Sequence, residues 1–465
     1  VERQERIVRK TMRAARIDIS AGFIAASLVV PFGWATQVPP ASPTPGVTPS
    51  AGSPAREEIV RDALPPTIAA LDDDAIRRIA RMAQRVPAPP DPTNRFADSD
   101  AAAEFGRALF FEPRLSPKSV SCAHCHDPKQ WFTDGKALAA GIGTTRRNAP
   151  TVVDAARRRW IGWDGKFDSL WSQALAPIEH PDEMGGDRRG MLRLIRDDTA
   201  LRSGFERAFG AFPESLVSRP SGDPLAPPPD HVAGSTPEID RATVLALKAM
   251  GAYQRRLQSG PTRVDDFSDA VRTAGRQGSF AALSIEELRG LAIFVGSGGC
   301  FQCHRGANFT DEEFHSIGLP GANGRVPDDP ARLAAVDFLK SNPFNAAGVF
   351  SDAAESTKAS LVQGLRRSGE LFGQFRTPPL RGVALTAPYM HDGRMSTLED
   401  VVRFYDTLEG ASPVGHHGEM VLQPLGLGEQ GRADLVAFLR ALTPKSTDLG
   451  DWANPPAQPA RTNHD

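Results

Sequence analysis

All four cysteines of this 465-residue chain fall in two copies of one short pattern. "CAHCH" supplies Cys122, Cys125 and His126, and "CFQCH" supplies Cys300, Cys303 and His304. C-x-x-C-H is the spacing used for c-type haem attachment. Each thiol adds across one vinyl group of the macrocycle to make a thioether, and the adjacent histidine reaches the iron. Three other uses of paired cysteines compete. A zinc site would join two C-x-x-C units, but these lie far apart and each carries its own histidine. A thioredoxin-like dithiol needs a βαβ context, which is missing. A disulfide suits an exported chain, but across two residues it closes a very tight loop. Two motifs that consume every cysteine point to two covalently bound haem c groups.

The flanks of the motifs echo each other. "CHDPKQWFTDG" follows the first pair and "CHRGANFTDEE" the second, so Phe132-Thr133-Asp134 and Phe309-Thr310-Asp311 recur at nearly equal offsets. A helix is expected before each motif. Asp98 or Ser99 opens the first, with Phe105, Ala108 and Leu109 on its face. Ser284 and Glu287 form a capping box for the second, and "GSGG" ends it just before Cys300. Further helices are expected in "EIDRATVLALKAMGAYQRRLQSG" and "GRADLVAFLRAL". The fold class is therefore mostly α, with two cytochrome c-like haem domains in tandem and long loops. Long alternating β-branched runs are rare, which excludes an all-β fold. The formal charge of −2 provides no basic footprint for nucleic acid.

Residues 1–35 read as a signal peptide or anchor. Arg3, Arg6, Arg9, Lys10, Arg13 and Arg16 precede a mostly apolar run from Ile17 to Trp34, and Gly33 and Ala35 suit a signal peptidase. An uncleaved single-span anchor is the competing reading. Export to the periplasm matches the site of haem attachment. Residues 36–62, rich in Pro, Ser and Thr, read as a disordered linker, and 447–465 as a disordered tail. The sequence places an N-terminal haem domain at 63–280 and a C-terminal one at 281–446. The Ser- and Pro-rich stretch 212–237 reads as a loop.

The chain resembles the bacterial dihaem cytochrome c peroxidase family, in particular its MauG/MbnH-like branch. The markers are "LFFEPRLS", "SCAHCHDP", "RRNAPTV", "WDGKFDSLWSQALAPIEHPDEMG", "GCFQCH", "FRTPPLRGVALTAPYMHDGRMSTLEDVVRFY" and "LVAFLRAL". The resemblance implies a peroxidase in which hydrogen peroxide reacts at the N-terminal haem. Glu183 matches the family's distal carboxylate, which moves a proton between the peroxide oxygens. Pro177 and Gln173 match the proline and glutamine of that pocket, and Trp163 the tryptophan between the haems. Asn148, Thr386 and Pro388 match an interdomain Ca²⁺ site, whose amide and carbonyl oxygens suit a hard cation.

In "TLEDVVRFYDTL", Leu398, Val401, Val402 and Tyr405 share one helix face. Tyr405 aligns with the sixth ligand of the C-terminal haem, where many family members carry Met and MauG carries Tyr. His304 would be the other ligand. A phenolate favours ferric and higher states, whereas Met raises the potential. Ile142, in "GIG", stands where many members carry a histidine that blocks the peroxide-binding haem until activation. Isoleucine cannot ligate iron, so the N-terminal haem is expected to be open. The electron donor is either a small cytochrome c or cupredoxin, or a protein substrate oxidised at its surface. A non-catalytic dihaem electron carrier is the reading from another class.

Overall fold

The computed structural model describes residues 71–82, 87–214, 235–275, 281–321, 324, 327–412 and 422–457. The expected signal or anchor at 1–35, the linker at 36–62 and most of the 212–237 loop lie outside the described residues.

Helix after helix forms where capping and apolar spacing coincide. Helix α1 is Asp73–Met82, α2 is Asp100–Phe110, α3 is the turn Cys122–Cys125, α4 is Leu170–Gln173 and α5 is Leu175–Glu179. Then come α6 (Arg188–Asp197), α7 (Thr199–Phe209), α8 (Pro237–Gln254), α9 (Arg263–Ala274) and α10 (Ile285–Val295). The C-terminal half adds α11 (Arg332–Ser341), α12 (Thr357–Gly364), α13 (Leu398–Thr407) and α14 (Gly428–Ala441). The strands are two-residue pieces, β1 (Phe314–His315) and β2 (Phe375–Arg376), paired antiparallel. Ser99 caps α2, and Ser284 with Glu287 forms the expected box on α10. The mostly helical fold is as the sequence indicates.

One packing device occurs twice. Helix α2 crosses α8 so closely that a Cβ on Gly106 would sit 1.9 Å from the Ala249 carbonyl oxygen. Helix α10 crosses α14 in the same way, and a Cβ on Gly290 would sit 2.0 Å from the Asp434 carbonyl oxygen. Each glycine lies in the helix that precedes a C-x-x-C-H motif, and each lets two backbones touch where any side chain would part them. These crossings centre two apolar cores. One holds Phe105, Leu109, Leu175, Leu247 and Met250; the other holds Leu288, Leu291, Phe294, Leu435 and Phe438.

The boundary expected near 280 does not follow the packing. Ile79 and Met82 of α1, and Val264, Phe267 and Val271 of α9, are buried in the C-terminal core. Ser268 Oγ donates to Ile79 O at 2.6 Å, and Arg78 donates to Val295 O at 2.9 Å. In the other direction, Phe344 enters the N-terminal core, and Lys248 Nζ meets Asp352 at 2.7 Å. Apolar side chains found partners across the nominal border, which local periodicity cannot report. The tail also departs from expectation. Residues 447–457 are described, Trp452 packs on both the N-terminal core and the Tyr253 cluster, and only 458–465 lie outside the described residues.

Candidate active site

The N-terminal motif begins at Ser121, and the Cys122–Cys125 turn closes with His126 N–H donating to Cys122 O at 3.0 Å. The chain then folds back through Phe132, whose φ of 57° turns its carbonyl inward. His126 Nδ1–H donates to that carbonyl at 3.1 Å. A carbonyl only accepts, so the proton sits on Nδ1 and Nε2 is left with its lone pair for a metal. Burial pushes the His126 pKa down, which keeps the ring neutral as ligation requires.

A cavity of about 560 Å³ opens beside this motif. Cys122, Cys125, His126, Gln173, Pro177 and Glu183 all line it, with Phe110, Val152, Met184 and Met250 supplying apolar walls. Burial raises the Cys122 thiol to about 12 and the Cys125 thiol to about 11, and neither is in a disulfide. A largely apolar cleft with two uncharged thiols and a neutral imidazole fits a macrocycle better than a metal held by thiolates.

Glu183 sits on the turn after α5, its amide donating to His180 O at 3.1 Å. Desolvation by the cavity walls raises its pKa, against the pull of His180 and Lys166. The Gly141–Gly143 loop lies on this turn: Ile142 N donates to Glu183 O and Gly143 N to Asp182 O, both at 2.9 Å. A Cβ on Gly141 would strike the Glu183 carbonyl at 2.3 Å, so the loop is pressed flat there.

The C-terminal motif repeats the anchor. His304 N–H donates to Cys300 O at 2.9 Å, and His304 Nδ1–H donates to Phe309 O at 2.9 Å. Phe309 has a φ of 54°, and burial again lowers the histidine pKa. Tyr405 projects from α13, whose capping box pairs Thr397 with Asp400. Burial raises the Tyr405 pKa, and Cys300 and Cys303 are close enough to add to the rise. The tyrosine therefore lies within electrostatic range of the second motif. Asp311, His315 and Cys303 also approach one another, and His315 Nε2 is 3.0 Å from Asp311 Oδ2.

Between the motifs lies a shared seam. Trp163 is half-buried; its indole N–H donates to Asn148 O at 3.0 Å, and its carbonyl accepts from Arg376 N of β2 at 2.9 Å. Asn148 N donates to His391 O at 2.8 Å, and its Nδ2 donates to Lys136 O at 2.8 Å. The 386–391 segment thus abuts Asn148 through His391, just past Pro388. Thr386 lines a second cavity of about 440 Å³ with Trp131, Arg158, Asn308, Glu312 and Arg381, and its hydroxyl donates to Val383 O at 3.1 Å. The Nε atoms of Arg158 and Arg376 are buried without a hydrogen-bond partner among the described residues, and burial holds Arg158 down to about 10. Arg376 is nevertheless paired with Glu312 at 3.2 Å, whereas Arg158 donates only to the Thr151 carbonyl and has no hydrogen-bonded carboxylate among the described residues. A buried guanidinium in that setting calls for an anion. A haem carries carboxylates, so the donor set fits.

Residues 100–272 match the family model described as di-haem cytochrome c peroxidase. The chain is 32% identical to the cytochrome-c peroxidase IdrP1 of Denitromonas iodatirespirans, over 77% of this chain and 85% of that protein. The chain belongs to the di-haem cytochrome c peroxidase family. It is also 31% identical to the methylamine utilization protein MauG of Methylorubrum extorquens, over 72% of this chain and 76% of that one. Among solved structures, a MauG-like protein associated with microbial copper homeostasis superposes with a TM-score of 0.57 at 25% identity, covering 80% of this chain and 98% of the other. The diheme peroxidase BthA of Burkholderia thailandensis shares the fold, with a TM-score of 0.55 at 24% identity over 78% of this chain and 92% of that one. As a member of this family the chain is a dihaem peroxidase, with haem cofactors, a peroxide substrate and an electron donor.

Sequence reasoning did not assign the Phe132 and Phe309 carbonyls, although the repeated Phe-Thr-Asp was their signal. It also passed over Arg158, whose burial without a hydrogen-bonded carboxylate among the described residues shows only in three dimensions.

Proposed function

We propose that this is a periplasmic peroxidase of MauG-like character, with one open centre and one capped centre. The reading rests on one observation above all: Glu183, Gln173 and Pro177 line the same cavity as Cys122, Cys125 and His126. When bound, the two haems supply the redox change that turns H2O2 and two electrons into two waters. Cys122 and Cys125 would hold one covalently and Cys300 and Cys303 the other, with His126 and His304 as iron ligands. Arg158 would meet a carboxylate.

The chain's own residues do the rest. Glu183, desolvated in the cavity, takes a proton from the nearer peroxide oxygen and returns it to the leaving one. Gln173 orients the peroxide by hydrogen bonding, and Pro177 offers no N–H that could compete. Ile142 stands in the sequence where many family members carry a ligating histidine and cannot bind iron, so the centre would need no reductive opening. Tyr405 would join His304 in holding the C-terminal haem, and a phenol oxygen there would favour stored oxidising power over ready reduction. Trp163, hydrogen-bonded to one half and paired with the other, relays electrons between the centres. Asn148, its Nδ2 engaged with Lys136 O, would turn Oδ1 to a Ca²⁺ shared with Thr386 and Pro388 carbonyls.

The basic and apolar stretches before residue 36 support export to the periplasm, as a cleaved signal or a retained anchor. Tyr405 and Ile142 favour oxidation of a protein substrate over turnover with a small cytochrome c or cupredoxin. Ferric EPR tests the asymmetry. One high-spin and one low-spin haem are expected; two low-spin signals with no high-spin component would remove the open site.

A further inference from the structure

The N-terminal motif has a second aromatic neighbourhood, apart from Trp163. Tyr253 on α8 is fully buried, in a cluster that packs on Cys122. Its ring centre lies 5.1 Å from that of Phe110, and Phe110 lies 6.4 Å from the His126 ring. The Tyr253 hydroxyl donates to Trp452 O at 2.8 Å, and the two rings are 6.3 Å apart. Trp452 is partly exposed. The guanidinium groups of Arg107 and Arg256 stand 5.8 and 5.6 Å from its ring centre. Arg107 also donates to the carbonyls of Asn454 and Pro455 at 2.6 and 3.1 Å, which clamps the segment onto α2. In a chain with three tyrosines and six tryptophans, one of each lies in line between the motif and the surface.

We propose that Trp452, reached through Tyr253, is a surface oxidation site: it gives an electron to the peroxide-reducing centre and takes one from a small one-electron aromatic donor. This rests on the reading that the first motif holds that centre. Successive short steps through packed rings carry an electron faster than one long step. Tyr253 serves as the bridge rather than the terminus. Its hydroxyl faces a carbonyl, which cannot accept a proton, and burial holds its pKa up. Trp452 can release its indole proton to water, and the two flanking guanidinium groups disfavour a ring that stays positive.

The balance closes with a donor and without one. Reduction of H2O2 to two waters consumes two electrons and two protons. Two molecules of a phenol-class donor each lose one electron and one proton, and Trp452 ends unchanged. Without donor, Trp452 loses both electrons, water adds to the indole and two protons leave. The net reaction is then tryptophan plus H2O2 giving hydroxytryptophan plus water.

The test treats the holoprotein with stoichiometric H2O2 in the absence of donor. Haem absorbance is followed, one portion is frozen for EPR, and the rest is digested for peptide mass mapping. The expected result is an absorbance change, an organic radical signal and one added oxygen atom on Trp452. Guaiacol added beforehand should suppress that oxygen. Trp452→Phe should lose the radical and the added oxygen while its haem spectrum still responds to peroxide. An absorbance change with no oxygen on wild-type Trp452 overturns the proposal and leaves the peroxide chemistry standing; so does a radical that persists in W452F. No absorbance change at all overturns the reading beneath it. Should W452F misfold, the wild-type peptide map decides alone.

Discussion

The two C-x-x-C-H regions agree on one side and differ on the other. In both, the turn closes on the first cysteine's carbonyl, and a phenylalanine at positive φ aims its carbonyl at the histidine Nδ1. Both histidines are held neutral by burial. Beyond this anchor the likeness ends. The first motif opens on a cavity lined by a carboxylate, whereas the second lies within electrostatic range of a tyrosine on a capped helix. The local anchor of the histidine is the same in both copies. Reactivity is set by what stands opposite, and there the two copies diverged.

The sharpest way to break the contrast is Glu183→Gln. It keeps the shape and removes the base, so the rate of the first peroxide reaction should fall by about 10²–10⁴-fold, read by stopped-flow absorbance. The C-terminal EPR signal should not move. Asp265→Ala tests the scaffold on the C-terminal side. Arg381 grips Asp265 with two hydrogen bonds of 2.7 and 2.6 Å in a buried setting, and losing the carboxylate strands that cation. A loss of about 3–5 kcal/mol is expected in denaturant unfolding. Tyr405→Met should make the C-terminal centre resemble that of a cytochrome-driven peroxidase: its potential rises, measured by spectroelectrochemistry, and turnover with reduced cytochrome c increases. An unchanged potential would mean that Tyr405 is not a ligand.

The smallest effect concerns pH. Glu183 acts as a base only when ionised, and burial raises its pKa. The peroxide rate should therefore climb with pH through a limb above the ordinary glutamate value of about 4.3. His180 pulls that pKa down, so His180→Ala should move the limb to still higher pH, by about one unit or less.

Much of this was legible in the sequence because it is local. Cys122–His126 and Cys300–His304 carry their chemistry in five consecutive residues, and the caps Ser99 and Ser284 lie within four residues of what they satisfy. Glu183, Gln173 and Pro177 were found through family motifs, and the fold gathers them in one cavity. What stayed hidden was long-range. Nothing near Phe344 announces that it packs in the other core, and nothing near Trp452 announces Tyr253. Arg158 reads as one of many surface arginines until its surroundings close over it.

The exchange of segments across the nominal border has a consequence for how the chain is made. The first core is incomplete until Phe344 and Asp352 have left the ribosome, and the second borrows α1 from the very start of the described chain. A cut near 280 leaves both cores incomplete. A fragment ending near 280 would carry α1 and α9 without the α10 and α14 residues that complete their core, and would lack Phe344 and Asp352. Completion of both cores is thereby tied to residues on either side of 280.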